Sequence, residues 1–167
     1  GVSLADDRAR VAAGDECEGL YLVVDGLIKL YAKGPNGHEK VIEVVGAGGC
    51  VSEALLFNDR PHSVNATVLF DVQIVEVPKD VLMNELNSSP ELALRFITDL
   101  SRRFSDLVRD IEALTLHSGI KRVVDYLVHS PDVGLVPASQ RDATVSLPAS
   151  KGTIASLLSV TPEHFSR

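Results

Sequence analysis

Gly19-Leu20-Tyr21-Leu22-Val23-Val24-Asp25-Gly26-Leu27-Ile28-Lys29-Leu30-Tyr31 is the stretch on which the reading of the fold turns. Two β-rich runs flank Asp25-Gly26, a dipeptide that supplies the positive φ angles of a type I′ turn, so the spacing predicts a β-hairpin. A second hairpin is predicted through Lys33-Gly34-Pro35-Asn36-Gly37 into Glu39-Lys40-Val41-Ile42-Glu43-Val44-Val45, with further β-rich runs at residues 64–70 and 72–77. Short strands at this spacing indicate a small antiparallel barrel or sandwich.

The β pattern stops at Ser88-Ser89-Pro90, where Ser89 can cap a helix and Pro90 is preorganised for its first position. Beyond it, Ile97, Leu100, Phe104, Leu107, Ile111 and Leu114 recur at intervals of 3, 4, 3, 4 and 3 residues, a heptad seam. Arg102, Arg103, Asp106, Arg109 and Asp110 fall on the other faces of that helix. A helix over residues 90–116 is on the order of 40 Å long at 1.5 Å per residue, longer than a small barrel can cover. The seam is therefore expected to meet a second copy of the chain, with Leu92, Leu94, Phe96 and Val108 as a second apolar face toward the barrel. Ser118-Gly119 breaks the helix, and residues 120–129 read as another, ending before Ser130-Pro131. The expected division is a sensing half over 1–89, a dimerisation helix over 90–117 and a terminal domain over 118–167.

Charge divides along the same boundary. The 167 residues carry 16 Lys and Arg against 23 Asp and Glu, net −7, with 45% hydrophobic residues, enough for a core. Residues 1–89 hold 7 basic and 14 acidic side chains, whereas 90–167 hold 9 of each. The acidity that argues against a nucleic-acid partner thus belongs to the first half. No apolar run approaches the roughly 18 residues that span a bilayer, and GVSLADDRAR lacks the apolar stretch of a signal peptide. Two cysteines, Cys17 and Cys50, are too few for a disulfide framework, a Cys-rich zinc site or a four-thiolate iron–sulfur cluster. The expectation is a cytoplasmic protein, away from membranes. No G-x-S-x-G, H-E-x-x-H, Walker or G-x-G-x-x-G motif is present, and Gly46-Ala47-Gly48-Gly49 reads as a loop, so catalysis is not expected.

The last eighteen residues, from Ser150 to Arg167, fit a helix-turn-helix. Ile154, Ala155 and Leu157 give the first helix its inner face and Ser159 lies in the turn. Thr161-Pro162-Glu163 starts the second helix with a cap, an N1 proline and an acid at its positive end. Glu163, Ser166 and Arg167 stand at i, i+3 and i+4, on one helix face. Arginine can donate twice to guanine, glutamate can accept from cytosine N4, and serine can lie against a thymine methyl. Arg167, Glu163 and Ser166, together with Thr161 and Ser150, are the candidate DNA-binding residues.

With these segments in order, the chain resembles the CRP/FNR family of bacterial transcription regulators. The resemblance runs from Gly19 to Arg167 and rests on the 19–31 stretch, Ser52-Glu53-Ala54-Leu55-Leu56-Phe57, the long helix, Lys121-Arg122-Val123-Val124-Asp125-Tyr126-Leu127, and Leu147-Pro148-Ala149-Ser150-Lys151 leading into the second helix. It implies an α+β chain: an N-terminal cyclic-nucleotide-binding-like antiparallel β-roll, a dimerisation helix through Ile97, Leu100, Phe104, Leu107, Ile111 and Leu114, and a winged helix-turn-helix. It also implies a palindromic double-stranded DNA target with half-sites resembling TTGAT, a homodimer, and RNA polymerase as partner. The sequence stops midway through the expected recognition helix, leaving out the wing, and the junction from Arg10-Val11 to Ala12-Ala13-Gly14-Asp15-Glu16 is shorter than the family's β-roll.

The same resemblance marks Ser52, Glu53, His62, Ser63 and Leu107 as the effector pocket. Ser52 stands where cyclic-AMP-binding members have glycine, His62-Ser63 where they have Arg-Ser to hold the cyclic phosphate, with Arg60 two positions out of register, and Leu107 where a polar residue reaches the adenine. Cyclic AMP is not expected to bind. The closer resemblance is to Dnr-type regulators of denitrification, which implies haem-dependent nitric oxide sensing in an apolar pocket between roll and long helix. Histidine can ligate haem iron. Of His38, His62, His117, His129 and His164, the candidates are His62, in the segment from Ser52 to Ser63 that matches the family's phosphate-binding cassette, and His117, at the end of the long helix. Cys50 is an alternative soft ligand.

Overall fold

The computed structural model describes residues 2–4, 12–53, 55–58, 60–130, 133–137 and 143–166. Arg10, Val11, Ala54, Pro131 and Arg167 of the sequence reading lie outside these residues. The chain forms two compact units, residues 1–106 and 107–167, and the division falls inside the long helix rather than at either of its ends.

The first unit is an antiparallel β-roll of two sheets. Strands β1 (Val2–Leu4), β2 (Gly19–Asp25), β5 (Cys50–Val51) and β7 (Val72–Pro78) build one sheet in the order β1-β7-β2-β5. Strands β3 (Ile28–Lys33), β4 (Glu39–Val45) and β6 (Asn65–Val68) build the other in the order β4-β3-β6. Val23, Ile28, Leu30, Val45, Val51, Ala66, Val72 and Ile74 form one buried cluster drawn from both sheets. Residues 28 and 30, and 72 and 74, show the period-two spacing of a strand with one buried face.

The hairpin through Gly34 and Gly37 forms as expected: β3 pairs with β4, and the Gly34 amide donates to the His38 carbonyl. The hairpin expected at Asp25-Gly26 does not form, because β2 and β3 belong to different sheets. Gly26 does take a positive φ of 87°, but its role is a close approach. A Cβ there would lie 2.2 Å from the Asp71 carbonyl oxygen and 2.8 Å from the Val72 Cα, so the chain can cross between sheets only over a residue without a side chain. A second departure follows β7. The stretch before Ser88 reads as β throughout, yet Lys79–Ser88 is a helix, α1, anchored by buried Leu82 with Leu86 one turn on. Together with Leu20 and Leu56 it forms a second apolar cluster, against which Phe96 packs.

Helix α2 spans Pro90–Leu116, as the periodicity predicts, and Ser89 caps it by accepting from the Leu92 amide. Of the face expected to meet the roll, Phe96 does so and stacks edge-on to Phe57 at 5.6 Å between ring centroids. Leu92, Leu94 and Val108 are exposed. The less exposed positions are instead Ala93, Phe96, Leu100, Arg103, Asp106 and Ala113.

The second unit continues with α3 (Gly119–His129), whose N-cap Ser118 accepts from the Lys121 amide. An antiparallel pair, β8 (Gly134–Pro137) with β9 (Ala143–Ser146), precedes the helix-turn-helix and has no counterpart in the sequence reading. Helices α4 (Lys151–Leu157) and α5 (Pro162–Ser166) close the chain. No helix among the described residues is long and apolar enough to cross a membrane.

Candidate functional site

The cassette starts where β5 ends. At Ser52 the chain turns with φ 78°, a left-handed conformation that costs an L residue roughly 1–2 kcal/mol. Burial without compensation adds to that cost: Ser52 is 9% exposed, and its Oγ has no hydrogen-bond partner among the described residues. Glu53, next along, is equally buried.

The carboxylate of Glu53 is met by Arg103 of α2. The Nη1 of Arg103 donates to Glu53 Oε1 and, at 2.9 Å, to the Cys50 carbonyl. Its Nη2 lies 2.6 Å from each carboxylate oxygen of Glu43 on β4. One planar guanidinium thus joins β4, the cassette and the long helix, a use of arginine that lysine's point charge does not reproduce. Burial pushes the Glu53 carboxyl above the ordinary range, an effect the charge of Arg103 opposes without cancelling. Burial works to lower the Arg103 guanidinium, and the two carboxylates together outweigh it and hold it high. Two acids, one on β4 and one after β5, thus share one cation.

His62 is 5% exposed, and burial lowers its pKa against a weaker opposing pull from Asp15, so its ring is neutral at pH 7. It supplies no charge for a phosphate. Ser63 is exposed, and Leu107 is 51% exposed on α2. The Cys17 thiol donates weakly to the Ser52 carbonyl at 3.8 Å, and burial pushes the Cys50 thiol up, away from the thiolate that a metal requires.

In the sequence Arg103 stands out only as a charged residue outside the seam. The signal that places it is the spacing from Phe96: 96, 100 and 103 share a face, so the arginine follows Phe96 onto the roll. The rest of the seam, at Ile97, Phe104, Leu107, Ile111 and Leu114, is between 41% and 69% exposed in the single chain, and Leu100 is half-buried.

In the second unit, Ile154 and Ala155 are fully buried and anchor α4, and the turn passes through Ser159 at φ 53°. Ser150 caps α4 by accepting from the Thr153 amide, and Thr161 caps α5 by accepting from the His164 amide. The hydroxyls of both proposed DNA contacts are therefore engaged in holding helix starts. Glu163 and Ser166 are exposed on α5. Hydrogen bonds from its own backbone amide and from Thr161 hold the Glu163 carboxyl below the ordinary range, so it is ionised and an acceptor at neutral pH. Arg167 lies outside the described residues.

Among the described residues no group of three or more His, Cys, Asp and Glu side chains is arranged to hold a metal ion. Haem asks less, one or two axial donors. His62 is a buried imidazole kept neutral. His117 has a buried Nδ1 without a hydrogen-bond partner among the described residues, 3.7 Å from an Asp125 carboxylate oxygen.

Residues 2–89 match the family model described as the cyclic nucleotide-binding domain. A CRP-like cAMP-activated global transcriptional regulator of Mycobacterium tuberculosis is 26% identical over 92 residues, 55% of this chain, and the match spans less than half of that regulator, 41%. The crystal structure of the sensor domain of the transcriptional regulator DNR from Pseudomonas aeruginosa is 27% identical, with a TM-score of 0.55 over 65% of this chain and 73% of that one. The structure of FixK2 from Bradyrhizobium japonicum shares the fold at 17% identity, with a TM-score of 0.71 over 95% of this chain and 79% of that one.

Proposed function

Because the chain belongs to the cyclic nucleotide-binding domain family, we propose that it is a homodimeric, sequence-specific transcription regulator of CRP/FNR type. In this reading the roll takes an effector and α5 enters the major groove. The observation that carries it is the presence, in one chain, of a roll of this family and a helix-turn-helix whose second helix, capped by Thr161, leaves ionised Glu163 and Ser166 exposed. Two recognition helices have to stand about 34 Å apart to meet successive major grooves. The exposed seam of α2 is the surface through which a second copy would set that distance.

The effector we propose is a nitrogen oxide sensed through haem, with TTGAT-like half-sites as the DNA target. The likeness to the DNR sensor domain supports this, as does a cassette whose acid is already paired with Arg103 and whose His62 is uncharged. His62 would hold the haem, which would supply an iron able to take a diatomic gas. The second reading, a regulator that binds a cyclic nucleotide, is favoured by the family and by Glu53 beside a helix cation, and is opposed by the absence of a charge at His62.

The test is a mobility shift of the full chain on a TTGAT palindrome against the same duplex with altered half-sites, with an absorption spectrum of anaerobically purified protein supplied with haem. Preference for the matched duplex and a Soret band shifted from free haem, and shifted again by nitric oxide, are expected. Equal affinity for both duplexes overturns the regulator reading. An unshifted Soret band, with calorimetric binding of cyclic AMP, transfers the effector to the second reading.

A further inference from the structure

Arg122 sits in the first turn of α3, and its guanidinium addresses backbone carbonyls at two helix ends. Its Nε donates to the Leu158 carbonyl at 2.8 Å and its Nη2 to the Ser159 carbonyl at 3.0 Å. Its Nη1 donates to the His117 carbonyl at 2.7 Å. Leu158 and Ser159 follow the last residue of α4, and His117 follows the last residue of α2. The final carbonyls of a helix have no partner within it and carry the negative end of the helix dipole. A planar fork that is always charged suits several such carbonyls at once, and a lysine cannot reach three of them in one geometry.

The same joint is tight. A Cβ on Gly119, at the start of α3, would lie 3.1 Å from Val160 Cγ1, closer than ordinary contact. Val160 is itself tied back to α4 by its amide, which donates to the Ala155 carbonyl. Ser159 holds the left-handed conformation of the turn, and α5 begins three residues later. The end of α2, the start of α3 and the turn before α5 therefore meet around one side chain.

We propose that Arg122 is a positioning residue for DNA reading: it welds the C-terminal end of α2 to the helix-turn-helix turn, so that the orientation of α5 follows the end of the long helix. The proposal rests on the DNA-binding reading above. It assigns Arg122 no contact with DNA. Movement at the end of α2 reaches α5 through three hydrogen bonds to backbone, which leave the turn little freedom to lag behind.

The experiment compares the full chain with its Arg122→Lys and Gly119→Ala variants. Amide hydrogen exchange is read at Leu158, Val160 and Phe165, and affinity is read on the matched TTGAT palindrome and on a duplex with altered half-sites. Lysine keeps the charge and loses the fork. In R122K, exchange at Leu158 and Val160 is expected to quicken at least tenfold and matched affinity to fall about tenfold, while affinity for the altered duplex stays within about twofold. G119A presses on the same joint without changing charge, and is expected to lower discrimination about threefold or more. Discrimination retained in R122K overturns the proposal, as does an equal loss on both duplexes, which marks a phosphate contact. If R122K does not fold, an unchanged ratio in G119A overturns it. If the parent itself fails to discriminate, the DNA-binding reading has failed, and exchange alone decides whether Arg122 holds the turn.

Discussion

His62 and Glu53 are both titratable and buried, and their effects on stability run in opposite directions with pH. A histidine whose folded pKa is depressed contributes stability that is complete above its ordinary value of 6.5 and is lost as pH falls through the folded value. His62→Gln should therefore lose less stability than the parent between about pH 7.5 and about pH 5.5, measured by urea unfolding. An equally steep fall in both proteins rules out His62 as a source of acid sensitivity. Glu53 is raised, so its contribution is present below the ordinary 4.5 and declines as pH rises through the folded value. Arg103 limits that decline. Replacing it by methionine leaves two carboxylates without their cation, and should cost about 2 kcal/mol, with partial recovery in R103M/E43Q. Ser52 pays for its left-handed backbone and for a hydroxyl without a partner among the described residues, so Ser52→Gly should raise stability by about 1 kcal/mol. Thermal unfolding at neutral pH measures both, and a destabilised S52G would show that the hydroxyl has a partner in solution.

Among the elements, α2 has the clearest sequence signature and the least settled surroundings. Its span follows from Ser89, Pro90 and the heptad spacing, all local properties. Its neighbours do not. The apolar residues at 92, 94 and 108, expected against the roll, are exposed, and the roll instead meets a face carrying Phe96 and Arg103. Hydrophobicity alone could not choose between two apolar stripes on one helix; the reach of a guanidinium to Glu43 and Glu53 marks which one faces inward. Ile111 is 63% exposed. If the seam pairs two copies, Ile111→Glu should convert a dimer to a monomer, read by light scattering, and a dimer that survives the substitution removes this seam from the interface. The Asp25-Gly26 turn teaches the converse lesson. The dipeptide has the dihedral freedom of a hairpin, but its strands pair in separate sheets, and the glycine is required by the backbone of Asp71 and Val72 pressed against it. Gly26→Ala should be strongly destabilising, by about 3 kcal/mol or more, since neither contact is with a flexible side chain.

For the molecule as a whole, the net charge of −7 constrains how DNA would be met under the proposed reading. The excess acid lies in the roll, and the described part of α4 and α5 carries few cations, Lys151 among them. Counterion release scales with the number of phosphates neutralised, so the affinity of this chain for its matched duplex should fall with salt with a log–log slope of about −4 or shallower. Fluorescence anisotropy between about 50 and about 200 mM salt measures it, and a slope near −8 would mean that phosphate contacts dominate. Under that reading specificity would depend on the spacing of two α5 helices, and the role proposed for Arg122 would act on that spacing.

The sequence by itself determined what depends on neighbours in the chain: the caps at Ser89 and Thr161, the length of α2, the hairpin at Gly34 to Gly37, and the helix-turn-helix with its buried Ile154 and Ala155. Each is a matter of dihedral preference or of donors and acceptors three or four residues apart. Tertiary structure alone decided the separation of β2 from β3, helix α1 over Lys79–Ser88, the Arg103 bridge to Glu43 and Glu53, and the Arg122 contacts with His117, Leu158 and Ser159. These join residues 36 to 60 positions apart in most cases, across sheets or helix ends. Charge identifies an arginine as a candidate for such a contact, but only the packed backbone brings its acceptors within reach.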